Sequence, residues 1–253
     1  MLQTFIKRFS LTNCNGNSWS QATGFEQVIN DGIPTYYIVD YSKSSIAVFN
    51  QYWICQSYQY LPYPSTYTTR YVGGYFYFGS NDYFYKTNTN YAVVKSYYFD
   101  WIYYRQFFYD STVSKFFAAA QYTTGVDVFD TNCNYLQTID FLNLNRQGTY
   151  GLASFNGYYY VGDTKNNKIY VIKNGLISSS FYVSQCPLII YSITFDSNGY
   201  MVVSCTDANY LAVYYLNGVY TSGITTSYNP YMTAIDYYGR FIIVTQNSVD
   251  IYY

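Results

Sequence analysis

The chain has 253 residues, with 11% charged residues, a formal net charge of −1 and no histidine. That length suffices for one large domain with a full core. The sparse, balanced charge excludes the basic stripe of a nucleic-acid binder, and no apolar run approaches the roughly 20 residues of a membrane-spanning helix.

Tyrosine (39) and phenylalanine (18) are abundant, and Glu26 is the only glutamate among 14 acids. Such a composition favours strands and turns over helices. The N-terminal MLQTFIKRFSLTN lacks the apolar core and small-residue cleavage site of a signal peptide. Low Lys and Glu with high Tyr, Ser, Thr and Asn nevertheless point to an extracellular or cell-surface protein.

In chain order, LQTFIKRFS at 2–10 is strand-like, and NCNGNSWSQ at 13–21 is a loop. Four strands follow within 22–60: one inside 22–30, then TYYIVD, SIAVFN and WICQSYQY. After the loop PYPST come TTRYVG, YFYFGS, YFYKTN and YAVVKSYYF, then YRQFFYD, KFFAAAQ, GVDVFD and YLQTIDF. The clearest unit spans 149–182: GLAS, YYYVGD, KIYVIK and LISSSFY, with turns at Asn156-Gly157, at KNN and at Asn174-Gly175. Asn-Gly between Tyr/Val/Ile-rich runs is the strongest short-range hairpin signal. IIYSITFD, YMVVSC, YLAVYYL and VYTSGIT follow, then YMTAIDY, RFIIVTQ and VDIYY.

The third-strand anchors Ile46, Phe84, Val126, Ile169, Leu211 and Val249 recur with a period of about 40 residues, a propeller signature. The expected fold is therefore all-β: one domain over 1–253, a six-bladed β-propeller of four-stranded antiparallel blades. The last blade has three strands of its own. The strand at about 2–10 is expected to pair with 249–253 and close the ring, which removes an unpaired edge.

Residues Val161, Asp163, Asn166, Asn167, Ile169 and Val171 resemble an NHL repeat, with Lys168 in place of the usual Arg. FDSNG at 195–199, NYLAVY at 209–214 and IDYYG at 235–239 match in part. The resemblance implies fold far more than function. NHL-type propellers include binding scaffolds, and related six-bladed propellers include metal-dependent lactonases, lyases and esterases.

Without histidine, general acid–base chemistry and His-metal clusters lose their usual residues. No G-x-S-x-G or phosphate loop occurs, so no catalytic residue or bound cofactor is expected. One calcium-type site can be drawn from Asp40, Asp163 and Asp207, each beside a turn after a second strand. The competing reading has each satisfy its own turn's backbone. The same turn role is expected of Asp110, Asp196 and Asp236.

Of the five cysteines, none forms C-x-x-C, which leaves buried thiols or disulfides. Cys186 and Cys205 fall in loops on one face and can pair. Cys14 and Cys55 are expected on opposite faces.

Tyrosine pairs at 97–98, 103–104, 214–215, 237–238 and 252–253, and the triplet at 158–160, exceed what inter-blade packing needs. Tyrosine is enriched at interfaces, and no Asn-x-Ser/Thr acceptor is present. The leading expectation is a non-enzymatic interaction propeller that self-associates into a filament or sheath. A glycan- or peptide-binding module and a calcium-dependent lactonase-type hydrolase are the alternatives.

Overall fold

The computed structural model describes residues 5–11, 14, 19, 21–123, 125–140, 148–187 and 189–252. β1 (Phe5–Ser10) pairs with the last strand of the chain. The first complete sheet is β2 (Ala22–Asn30), β3 (Ile33–Asp40), β4 (Ser45–Phe49) and β5 (Cys55–Tyr60). A six-stranded sheet follows: β6 (Thr66–Val72), β7 (Tyr75–Thr87), β8 (Val93–Asp110), β9 (Lys115–Gln121), β10 (Gly125–Asp130) and β11 (Tyr135–Asp140). Next come β12 (Thr149–Phe155), β13 (Tyr158–Asp163), β14 (Lys168–Lys173) and β15 (Leu176–Tyr182), then β16 (Ile190–Phe195), β17 (Met201–Cys205), β18 (Tyr210–Tyr214) and β19 (Tyr220–Thr225). The final sheet joins β20 (Pro230–Ile235), β21 (Phe241–Thr245), β22 (Ser248–Tyr252) and β1. All pairings are antiparallel, and the architecture is an all-β propeller.

Asn-Gly turns behave as their chemistry requires. Asn156 and Gly157 have φ of 50° and 75°, the paired left-handed conformation of a two-residue hairpin.

The sheets number five, not six. Residues expected to form the second and third blades lie in one continuous sheet. β7 pairs with β6 along Tyr75–Ser80 and its bridged neighbours, and with β8 from Asn81 to Thr87. β8 in turn reaches β9 from Tyr103 onward. The Asn81–Tyr103 pair and the Trp101 N–H donating to Asp82 Oδ1 (3.0 Å) stitch the boundary. The sheet is folded there: Phe78 and Tyr85 rings lie 5.0 Å apart, although seven residues of straight strand would span about 23 Å. Six strands still contact one another around the axis: β2, β6, β8, β12, β16 and β20.

β1 closes the ring on β22, from Phe5 opposite Tyr252 to Ser10 opposite Ser248. Residues 2–4 of the expected closing strand, and Tyr253, lie outside the described residues. Arg8 clamps the closure through Asp250, with Nε and Nη2 each 2.7 Å from a carboxylate oxygen.

Cores fill the wedges between neighbouring sheets. Between the β2–β5 and β20–β22 sheets lie Phe25, Tyr36, Trp53, Met232, Ile242 and Ile251. Within the six-stranded sheet Phe84, Phe107, Phe116 and Phe129 pack together, the Phe84 and Phe129 rings 4.4 Å apart. Buried tyrosines serve these cores and find acceptors for their hydroxyls: Tyr77 donates to Thr131 O (2.8 Å) and Tyr104 to Asp127 Oδ2 (2.8 Å).

Two disulfides join Cys186 to Cys205 and Cys14 to Cys55, and Cys133 is a buried free thiol. The second bridge corrects the expectation of opposite faces. Leu11 and Ala22 bond to Asn247 and Gln246 on one face, and Leu11, Cys14 and Trp19 are buried in the core of the wedge. This brings Cys14 to the start of β5.

Two outcomes follow for stability. Replacing Cys186 and Cys205 together by serine opens a 19-residue closure and is expected to cost roughly 3 kcal/mol, read from the urea midpoint. At Gly24 a Cβ would sit 2.7 Å from the Tyr67 carbonyl oxygen, so Gly24→Ala forces two inner strands apart and is expected to cost about 1–3 kcal/mol in the same assay.

Candidate functional site

The six inner strands share one irregularity. Each gains one residue on its neighbour at the same level: between Ala22 and Gly24, Thr66 and Thr68, Tyr104 and Gln106, Thr149 and Leu152, Ile190 and Ser192, and Pro230 and Met232. A bulge re-aims a side chain and tightens the local twist. The residues at this level are Thr23, Tyr67, Arg105, Tyr150, Tyr191 and Tyr231.

The side chains of Tyr67, Arg105, Tyr150, Tyr191 and Tyr231 meet. The Arg105 guanidinium lies 3.8 Å from the Tyr67 ring centroid and 5.3 Å from that of Tyr150. Tyr150 and Tyr191 rings are 5.7 Å apart, and Tyr191 and Tyr231 rings 5.1 Å. Tyr41 stacks on Tyr67 at 4.2 Å from the adjoining turn. Arg105 Nη2 donates to Gln121 Oε1 (2.5 Å). Burial pushes the Tyr67 and Tyr150 phenols up, and Tyr191 up to about 12, with Arg105 opposing each shift. Burial opposes the Arg105 charge, but the phenols of Tyr191, Tyr67 and Tyr150 outweigh it and hold that group above its ordinary value.

Toward the C-terminal ends of the same strands lies a cavity of about 480 Å³, lined among others by Phe25, Glu26, Arg70, Gln106, Ser154 and Thr233. Arg70 Nη1 pairs with Glu26 Oε2 (2.9 Å) and also donates to Phe25 O (3.1 Å). The buried Gln106 Oε1 accepts from Leu152 N–H (2.8 Å), which ties β8 to β12. Burial raises the Glu26 pKa, and Arg70 acts against the shift.

The acids singled out from sequence lie elsewhere. Asp40 is buried, and its Oδ1 accepts from Ser42 N–H (3.0 Å) and Ser42 Oγ (2.8 Å). Asp163 accepts from Lys165 N–H (3.1 Å), Asn166 N–H (3.2 Å) and Asn166 Nδ2 (2.7 Å). Asp207 is exposed in a 3-10 turn at Thr206–Ala208. Among the described residues no three His, Cys, Asp or Glu side chains converge, so the three aspartates do not form the drawn calcium-type cluster. Asp110, Asp196 and Asp236 accept from the backbone of their own turns, at Thr112, Asn198 and Tyr238 (each 2.9 Å).

Sequence reasoning missed the bulge ring and the Glu26–Arg70 pair. A signal for the ring existed: Tyr67, Tyr150, Tyr191 and Tyr231 each stand second in the first strand of a repeat. Aligning the repeats on their third strands left that column unread.

A second surface is formed by the outer edges. The edge strands β5 (CQSYQY), β15 (LISSSFY) and β19 (YTSGIT) contain no charged residue. Leu176 is 73% exposed and Ile177 46%, with Tyr60 and Tyr182 at 68% and 67%.

No protein-family model matches the sequence, and no curated protein does. The NHL likeness therefore stays with its motif residues. Solved structures do match. Virginiamycin B lyase from Staphylococcus aureus aligns with a TM-score of 0.71 at 11% identity, over 98% of this chain and 99% of that one. The WD40 β-propeller domain of Doa1 aligns at 0.69 and 12% identity, over 92% and 78%. A chain of the mitotic checkpoint complex aligns at 0.66 and 8% identity, over 89% and 73%. At these identities the likeness carries the fold alone.

The Glu26 shift has a sign that stability measurements can read. Glu26 keeps its proton to higher pH when folded than when unfolded, where its ordinary value is 4.5. Between those values the folded state binds more protons, so this group's contribution falls as pH rises through that window. Glu26→Gln is expected to remove that fall, and Arg70→Gln to extend it upward, in urea midpoints taken from about pH 4 to about pH 8.

Proposed function

We propose that the chain is a non-enzymatic interaction propeller that works outside the cell and associates with copies of itself through its outer edges. The observation that carries this reading is the trio of uncharged, exposed edge strands β5, β15 and β19. An edge strand presents unpaired N–H and C=O groups, and soluble proteins usually blunt such edges with charge, proline or bulges; each of these three carries one bulge but neither charge nor proline. β15 offers two exposed aliphatics at its start and a serine run behind them, with nothing to repel a second strand. Because the three edges point outward from different parts of the ring, contacts between unlike edges leave others free. Such heterologous contacts grow into open assemblies, a filament or sheath.

Two disulfides support an oxidising environment. The WD40 likeness supports interaction through a propeller surface.

The test is light scattering beside electron microscopy of the concentrated protein. Regular assemblies are expected for the native chain. Leu176→Lys with Ile177→Lys is expected to remove the contacts made by β15 and lower the mass of the assemblies, with an unchanged circular dichroism spectrum. A native protein that stays monomeric at every concentration would sink the proposal.

A further inference from the structure

We propose that the ring of bulge residues around Arg105 binds a ligand carrying a single carboxylate, through the guanidinium and the surrounding phenols. The inference is independent of self-association through the outer edges.

Charge bookkeeping around the arginines comes first. Arg8, Arg70 and Arg240 each pair with a carboxylate, from Asp250, Glu26 and Asp236. Among the described residues Arg105 has no carboxylate within ion-pair distance. Its neighbours are a neutral amide, Gln121, and the faces and hydroxyls of tyrosines. A guanidinium is always charged in a protein, so the axis holds a fixed positive charge with no carboxylate paired directly to it.

An unused donor is the second observation. Arg105 Nε is buried and has no hydrogen-bond partner. Two strands away around the ring, on β2, Thr23 Oγ1 is likewise buried and unpartnered. Each unpaired buried polar group calls for an explanation, and of the ten such atoms among the described residues Arg105 Nε is the one on a charged side chain. Here both lie on the same ring, each on the bulge residue of its strand.

The position is the third. All six inner strands bulge at this level, which is how strands re-aim side chains beside functional sites. Arg105 and Tyr231 are half-buried, so solvent reaches the ring.

These donors select the ligand. Arginine's planar fork matches a carboxylate. Tyr150 and Tyr191 stay protonated at neutral pH and can donate their hydroxyls. The ring supplies one cation, and Asp207 acts on Tyr150 from the neighbouring turn. A dianion such as a phosphate monoester would meet that acid with no second cation to offset it. Tyrosine rings on several sides suit a carboxylate carried on an apolar or aromatic group.

The experiment is isothermal titration calorimetry with benzoate, its neutral isostere benzamide, and phenyl phosphate. Benzoate is expected to bind once per chain, benzamide at least ten-fold more weakly, and phenyl phosphate no more tightly than benzoate. Arg105→Gln should weaken benzoate ten-fold or more while leaving benzamide unchanged, a discrimination that a merely structural plug would not produce. Should that variant fail to fold, Arg105→Lys, which keeps the charge and loses the fork, and Tyr191→Phe must each weaken benzoate several-fold. The site is overturned if benzoate does not bind up to millimolar concentration, if benzamide binds equally, or if the folded variants bind benzoate like the native chain. Tighter binding of phenyl phosphate than of benzoate overturns the monocarboxylate assignment.

Discussion

Room at the axis is the constraint on which the rest of this propeller depends. Six strands converge there, and side chains between them have to shrink or turn away. Gly24 lies against the Tyr67 carbonyl, and a Cβ on Gly79 would come 2.8 Å from the Tyr104 Cβ. Glycine at these points lets β2 approach the β6 backbone and β7 approach Tyr104 on β8 more closely than a side chain would allow. The extra residue in each inner strand is the other response to crowding. It sharpens the twist and throws one side chain per strand toward the axis. The same geometry that closes the ring therefore creates the cluster of Tyr67, Arg105, Tyr150, Tyr191 and Tyr231.

Tyrosine does the work that aliphatic residues do in other cores, and it brings an obligation with it. A buried phenol needs an acceptor, and the chain supplies one case by case. Tyr159 reaches Asp110 (2.8 Å), Tyr85 meets Thr66 Oγ1 (2.9 Å), and Tyr214 reaches Gln185 (2.6 Å). Several sparse acids are accounted for in this way: they hold turns and receive phenols. A chain built so can pack wide aromatic wedges between sheets while leaving the outer strands β5, β15 and β19 free of charge.

Much of this fold was legible from residues alone. Alternating Tyr/Val/Ile runs and Asn-Gly turns located nearly every strand, and the closing strand followed from a final repeat with one strand too few. The continuous sheet was missed although Asn81-Asp82 and the stretch from Asp100 to Tyr103 contain no glycine or proline to mark a break, because the 40-residue period alone set a blade boundary there. Pairing ran on across them. The Cys14–Cys55 bridge was hidden because a loop-like composition at 13–21 says nothing about whether the segment stays on the surface, and Trp19 draws it inward. At the candidate site, Asp40, Asp163 and Asp207 drew notice because carboxylates suggest metals, while turn geometry claims the first two. Glu26 stood out only as the chain's single glutamate; its partner Arg70 is 44 positions away and meets it where the inner strands of two separate sheets pack together, which no local pattern encodes.

The seam between β1 and β22 also sets how the molecule would respond to force. The two strands run antiparallel with Phe5 beside Tyr252, so tension applied outward at those two points would part them rung by rung, as a zipper opens. That mode resists weakly, because only one pair of bonds carries load at a time. Peeling would not travel far. Behind β1 the chain is bonded covalently at Cys14 to Cys55 on the neighbouring sheet, and the load would pass there into the body of the ring. The closure is thus a compliant latch with a hard stop, able to yield a short length of chain without surrendering the propeller.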